Sequence, residues 1–201
     1  MARLILGSAS PRRAALLREL GVEFSVQASD VPELRAAGES AADFARRLAR
    51  AKGAAVSAAS ADAWVLSADT IVVVDGIVLG KPTDAADAAS MLRQLAGRSH
   101  EVMTAVALTA PGGALADEVL VCSSVEFRPL TEAEIDAYIA TGEPFDKAGA
   151  YGIQGNAARF VRRVAGSYAN VVGLPIDEVR DILRRHDLLA AGAAHARQAE
   201  S

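Results

Sequence analysis

A single cysteine, three histidines and 4% aromatic residues leave this 201-residue chain short of most side chains that build disulfides or soft-metal sites. One cysteine, Cys122, permits no internal disulfide and suits a reducing compartment. In its strand-like setting VLVCSSVEF it is expected to be a small buried apolar residue. His100, His186 and His195 are scattered and form no ligand pattern. No stretch approaches the roughly 20 apolar residues of a membrane span, and the apolar run in MARLILGSAS is too short for a signal peptide. A soluble cytoplasmic protein with no membrane partner is therefore expected. A basic surplus is missing too: 21 Lys and Arg against 25 Asp and Glu give a net charge of −4. That balance argues against a general nucleic-acid binder, so an anionic ligand would need locally gathered cations.

What is present suffices for a full core, since 51% of the residues are hydrophobic and 23% charged. The alternation of strand and helix patterns predicts an α/β fold with a mixed sheet. A buried strand over 3–7 precedes a helix over about 11–20, with Ser10 as N-cap, Pro11 at its first position and Gly21 closing it. VEFSVQA reads as a second strand, and residues 40–59 as a long amphipathic helix carrying Lys52. A hairpin turning at Asp75-Gly76 begins near Trp64. Thr83 is expected to cap a helix over 84–96, and two long antiparallel strands flank PGG. Thr131 and Glu134 form a capping-box pattern, followed by an ordered glycine-rich loop, EPFDKAGAYGIQG. FVRRV and ANVVGLP look like strands, and Pro175 opens a last helix reaching His186. One domain over 1–189 with a disordered tail over 190–201 follows.

Chemistry concentrates at a few places. SASPRR, residues 8–13, crowds Ser8, Ser10, Arg12 and Arg13 at a strand-to-helix junction. Either this is a good helix start with a solvated first turn, or the arginines, which oppose the helix dipole there, are offset by a bound anion. Phosphate fits the second reading, because guanidinium forks, hydroxyls and helix N–H groups would converge on it. Asp69, in SADT, interrupts an apolar strand, where a carboxylate either starts a turn or protrudes into a cleft. A protruding Asp69 could take a proton from water or, with Glu33 of DVPELR, hold a divalent metal, magnesium or manganese. Lys52 and Lys81 are solvated lysines or further phosphate contacts.

The segment DKAGAYGIQG spaces Gly149, Gly152 and Gly155 as G-x-x-G-x-x-G, which is not the dinucleotide fingerprint, and no P-loop occurs. Its glycines permit turns, and they also allow backbone to lie near a flat base while Gln154 offers both a donor and an acceptor.

Together SASPRR, SADT, GKP, FDKAGAYGIQG and GSYANVVGLP closely resemble the Maf family of nucleotide pyrophosphatases, from about residue 3 to 187. AGAYGIQG with GSYANVVGLP is similar to the branch acting on dTTP and UTP rather than 7-methyl-GTP. The resemblance implies hydrolysis of a nucleoside triphosphate to the monophosphate and pyrophosphate, with a divalent cation, as a cytoplasmic house-cleaning enzyme. It implies an inosine-triphosphatase-like, Maf/Ham1-type α/β fold, with two lobes around a cleft, and a homodimer. By motif, Asp69 would be the proton acceptor, and Arg12, Thr70 and Gln154 would govern substrate selectivity. Ser8, Arg13, Glu33, Lys52 and Lys81 match other polar positions of the family's cleft. Asn156 and Ala157, just past the glycine loop, are less typical of it. The alternative is a nucleotide-sensing regulatory module in division or growth control, to which a carboxylate facing three phosphates would be a hindrance.

Overall fold

The apolar run WVLSADTIVVV forms β3 (Trp64–Val74), and nine of its eleven residues are buried, so it becomes the axis on which both faces of the sheet are packed. The computed structural model of the chain describes residues 2–189; the tail expected over 190–201 lies outside them. One edge of β3 pairs along almost its full length with antiparallel β5 (Ser99–Thr109), which continues to β6 (Leu115–Phe127) and β7 (Val161–Ala165). The other edge is shared. Parallel β1 (Leu4–Leu6) covers it as far as Leu6 opposite Leu66, and antiparallel β4 (Ile77–Leu79) takes over from Leu79 opposite Val72. Residues 67–71 face no strand on that edge. β2 (Ser25–Val26) adds to β1 and completes a mixed sheet of seven strands.

Side-chain alternation along β3 divides most of its residues among three cores, while Val65 joins a small fourth with Ile5, Val56 and Ala63. Ile71 and Val73 turn to α2 (Ala41–Ala59), whose Phe44, Ala45, Leu48 and Ala49 pack on them and on Ala105 and Ala107 of β5. Leu66 and Ala68 turn to the opposite face, against α1 (Pro11–Arg18) and α6 (Ile176–Arg185). Val72 and Val74 share that second face but join a separate core with α3 (Ala85–Leu95), α4 (Glu132–Ile139) and the glycine-rich segment. Thr70 lies between those two cores.

Most expected elements form where the residues place them. Ser10 caps α1 by accepting from Arg13 N–H, Ser40 caps α2, and Asp75 and Gly76 both take positive φ in the two-residue hairpin turn. Thr131 and Glu134 close a reciprocal capping box. Four expectations are corrected. ANVVGLP is not a strand: Tyr168–Val172 forms a short helix, α5, capped by Ser167 and stopped by Gly173. Five residues are too few for the helical period to show. VEFSVQA contributes two strand residues only, both exposed. The α3 cap is Asp84, which accepts from Asp87 N–H at 2.8 Å, while Thr83 donates its own N–H to the Asp87 carboxylate. Cys122 is exposed on β6, outside the stretch of that strand covered by β7.

One close approach fixes how α2 sits. Gly53 lies against the sheet where a Cβ would stand 2.7 Å from Thr109 Oγ1 and 2.8 Å from Ser67 Oγ, and the Ser67 hydroxyl donates to the Ala49 carbonyl at 2.8 Å. Alanine ordinarily gains about 1 kcal/mol over glycine inside a helix. Here the overpacking of a joint beside the site, about 1–3 kcal/mol, outweighs it. Gly53→Ala is expected to lower the urea unfolding midpoint; a raised midpoint would show that α2 shifts freely on the sheet.

Candidate active site

A cleft of about 670 Å³ opens where β3 lacks its edge partner. The missing strand explains how consecutive residues pointing to opposite faces, Asp69 and Thr70, border the same space. All nine expected site residues line it: Ser8, Arg12, Arg13, Glu33, Lys52, Asp69, Thr70, Lys81 and Gln154.

On the α2 side the charges form a chain. Lys52 Nζ donates to Asp69 Oδ1 and to Glu33 Oε1, each at 2.6 Å, and Lys81 Nζ donates to Glu33 Oε2 at 3.1 Å. Lys52, expected at the polar edge of its helix, is largely enclosed: its side chain is 12% exposed, and that of Asp69 is 7% exposed. Burial pushes the Asp69 carboxyl above its usual range, against the opposing pull of Lys52 and Arg13. Burial acts on Glu33 in the same sense, but the hydrogen bonds and charges of Lys52 and Lys81 together outweigh it and hold that carboxyl below its usual range. The surroundings thus push the two carboxyls in opposite directions.

Both carboxylates already face one cation, the Lys52 ammonium, so the pair can also face a metal ion. Among the described residues no group of three or more His, Cys, Asp or Glu is gathered. Two hard oxygen donors without a closed cage fit a magnesium-like ion that takes one or two carboxylates and completes its shell with phosphate oxygens and water.

The opposite wall is built around Arg13. Its Nε donates to the Gly173 carbonyl at 2.7 Å, Nη1 to Ser8 Oγ at 3.1 Å and Nη2 to Thr70 Oγ1 at 2.9 Å. Arg13 is half-buried, and burial lowers its pKa. It braces the β1–α1 turn, β3 and the end of α5 against one another. Beyond it, Thr104 donates to the Asn170 carbonyl at 2.9 Å, which obliges Thr70 to donate to Thr104 across 3.0 Å. Asn170 in turn donates to the Val102 carbonyl and Ser123 Oγ. Arg12, one position earlier, makes no side-chain hydrogen bond to protein among the described residues and borders the cleft half-buried.

Thr104, Asn170 and Glu143 were not among the expected residues. Thr104 becomes visible only through its register opposite Thr70, which no local pattern reveals. Asn170 was hidden by the expectation of a strand. His100 pairs with a tyrosine. It is buried under the cleft-lining Tyr151, with Nε2 2.8 Å from the tyrosine hydroxyl, and burial lowers its pKa to about 4. No helix among the described residues is long and apolar enough to cross a membrane.

The sequence pattern of the family described as "Maf-like protein" matches residues 3–186. A protein of Geobacter sulfurreducens named dTTP/UTP pyrophosphatase is 55% identical over 185 residues, covering 91% of this chain and 96% of the relative. One of the same name from Geobacter metallireducens is 53% identical over 184 residues, covering 90% and 95%. Among solved structures, a HAM1 protein from Coxiella burnetii superposes with a TM-score of 0.51 at 14% identity, covering 92% of this chain and 100% of that one. That likeness concerns the fold and agrees with the inosine-triphosphatase-like, Ham1-type architecture expected.

Proposed function

Since the chain belongs to the Maf-like protein family, we propose that it hydrolyses dTTP and UTP to the nucleoside monophosphate and pyrophosphate. Beyond its relatives, the observation that carries this reading is the alternating chain Asp69, Lys52, Glu33, Lys81 across the cleft from Ser8 and Arg12. A triphosphate needs cations for its charge and a carboxylate for the attacking water, and this arrangement supplies both.

Lys52 and Lys81 are tied to carboxylates here, and they can turn to phosphate oxygens when the substrate enters. Arg12 and the Ser8 hydroxyl approach the phosphates from the other wall, next to the first-turn N–H groups of α1. Asp69 accepts the proton of the water that attacks the α-phosphorus in line with the leaving pyrophosphate; the bond from that phosphorus to the bridging oxygen breaks, and the lysines and Arg12 stabilise the charge that develops there. Glu33 and Asp69 would hold magnesium or manganese, which when bound neutralises phosphate charge and lowers the pKa of water. Gln154, on the glycine-rich wall, meets the base with its amide. Arg13 works from behind by holding Ser8 and Thr70 in place.

The test is release of pyrophosphate and monophosphate from dTTP, UTP, CTP, GTP and 7-methyl-GTP, with magnesium or manganese and with chelator. Expected is metal-dependent cleavage led by dTTP and UTP, at least about tenfold over GTP, since a site that hydrogen-bonds one base leaves polar groups unpaired against another. Folded protein that binds nucleotide and releases no pyrophosphate would favour the nucleotide-sensing module instead.

A further inference from the structure

The turn bearing Gln154 is held at both ends by groups outside the phosphate machinery. Ile153 and Gln154 are its central residues, and Gly155 N–H closes it on the Gly152 carbonyl at 3.1 Å. At the near end Gly152 N–H donates to the hydroxyl of buried Tyr138 at 3.3 Å, and a Cβ on Gly152 would lie 2.7 Å from Lys147 Cε. At the far end the Glu143 carboxylate accepts twice from one residue, from Asn156 backbone N–H at 3.0 Å and from Asn156 Nδ2 at 2.5 Å. A Cβ on Gly155 would stand too close to Glu143 Oε2, so a larger residue there would displace the carboxylate from the turn. Both glycines flanking Ile153-Gln154 thus let a side chain close on the turn from behind.

Glu143 does not border the cleft, and both its oxygens are engaged. It stands just after α4, behind Gly142 with φ 77°. An exposed glutamine on a loose turn would lose side-chain and backbone freedom on meeting a base, whereas a turn fixed beforehand has less to lose. A charge-assisted, two-pronged hold is suited to that fixing.

We infer that Glu143 is a positioning residue for base selection, setting through Asn156 where the Gln154 amide stands. The inference rests on the reading of Gln154 as the residue that meets the base. It separates Glu143 from the chemistry at Asp69, so its loss alters which nucleotide is preferred more than how fast the preferred one reacts.

The experiment compares kcat and KM for dTTP and GTP in Glu143→Ala, Glu143→Gln, Asn156→Asp, Gln154→Ala and the double variant Glu143→Ala/Gln154→Ala. Glu143→Ala is expected to lower the dTTP-to-GTP ratio of kcat/KM roughly fivefold, the worth of about one hydrogen bond, mainly through KM for dTTP. Glu143→Gln keeps the ratio, because the introduced amide and that of Asn156 can pair in both directions. Asn156→Asp, an exposed change that sets like charges together, lowers it as Glu143→Ala does and carries the test if the alanine variant does not fold. The double variant matches Gln154→Ala alone. A ratio unmoved in both Glu143→Ala and Asn156→Asp, while Gln154→Ala shifts it, overturns the role of Glu143 and leaves base reading by Gln154 standing. An unmoved ratio in Gln154→Ala overturns both. Equal losses of kcat on the two nucleotides would also overturn the inference and make Glu143 a support of the fold only.

Discussion

Asp69→Asn is expected to lower kcat for dTTP by about three orders of magnitude, within the range that a positioned general base contributes. The exchange preserves shape, and the asparagine carbonyl still accepts from Lys52 where Asp69 Oδ1 does, 2.6 Å away. What disappears is the group able to take a proton, together with the charge that Asp69 would offer a metal ion. That residue is 5% exposed on β3, and Lys52 keeps Glu33 as a partner at 2.6 Å, so its ammonium is not left unpaired and the variant should fold. Nucleotide affinity, read by calorimetry with dTTP, should change far less than kcat, since Lys52, Lys81 and Arg12 remain. Near-parental turnover by the folded variant would sink the assignment of Asp69.

Lys52→Ala should come next in size, with kcat/KM falling by about two orders of magnitude and a stability loss of about 3 kcal/mol near neutral pH, as when one partner of a buried ion pair is removed. Lys52 serves both carboxylates at 2.6 Å; Glu33 keeps Lys81 at 3.1 Å, whereas Asp69 loses its directly bonded cation. The largest influence on Asp69, burial, already raises its pKa, and losing Lys52 raises it further. The sign of the pH effect follows. A carboxyl whose pKa is higher folded than unfolded favours the native state below the unfolded value, and that stabilisation is lost as pH climbs through the folded one. The alanine variant should therefore approach parental stability in acid and fall behind as pH rises. The acid limb of its kcat/KM profile should move upward, because Asp69 must ionise to act. Urea midpoints across pH provide the check: a deficit that stays constant with pH would mean that Lys52 contributes packing rather than charge.

How far the sequence disclosed this depends on the range of the interaction. Ser10 and Thr131 act on N–H groups three residues away, and Asp75-Gly76 makes its turn alone, so each was legible from neighbours in the chain. Asp69 was legible because a carboxylate inside an apolar strand demands an explanation. Arg13 was placed correctly at the cleft, but its commitment to Gly173, 160 positions away, has no local signature. Lys52 looked like a solvated lysine because the carboxylates that enclose it come from a loop and a strand elsewhere. Cys122 misled for a related reason: its sequence surroundings are those of a buried strand, and exposure on β6 depends on where β7 stops, at Ser124 opposite Ala165. The resemblance to a known family supplied what local patterns could not, the gathering of distant motifs into one cleft.

The seam at the centre of β3 has an evolutionary side. The groups proposed to handle phosphate on the β1–α1 turn and α2 stand on two cores, whereas the Gln154 turn is packed with α3, α4 and the β4 end in a different one, and Thr70 marks the boundary. On the proposed reading, substitutions in the 142–156 segment should remodel base preference while Arg12, Lys52 and Asp69 keep their supports; Lys81 is the exception, because the Gly80 carbonyl beside it accepts from Gly149 N–H at 3.0 Å. A lineage holding this fold would then change its choice of nucleotide mainly through that segment, with most of the proposed phosphate wall left as it is.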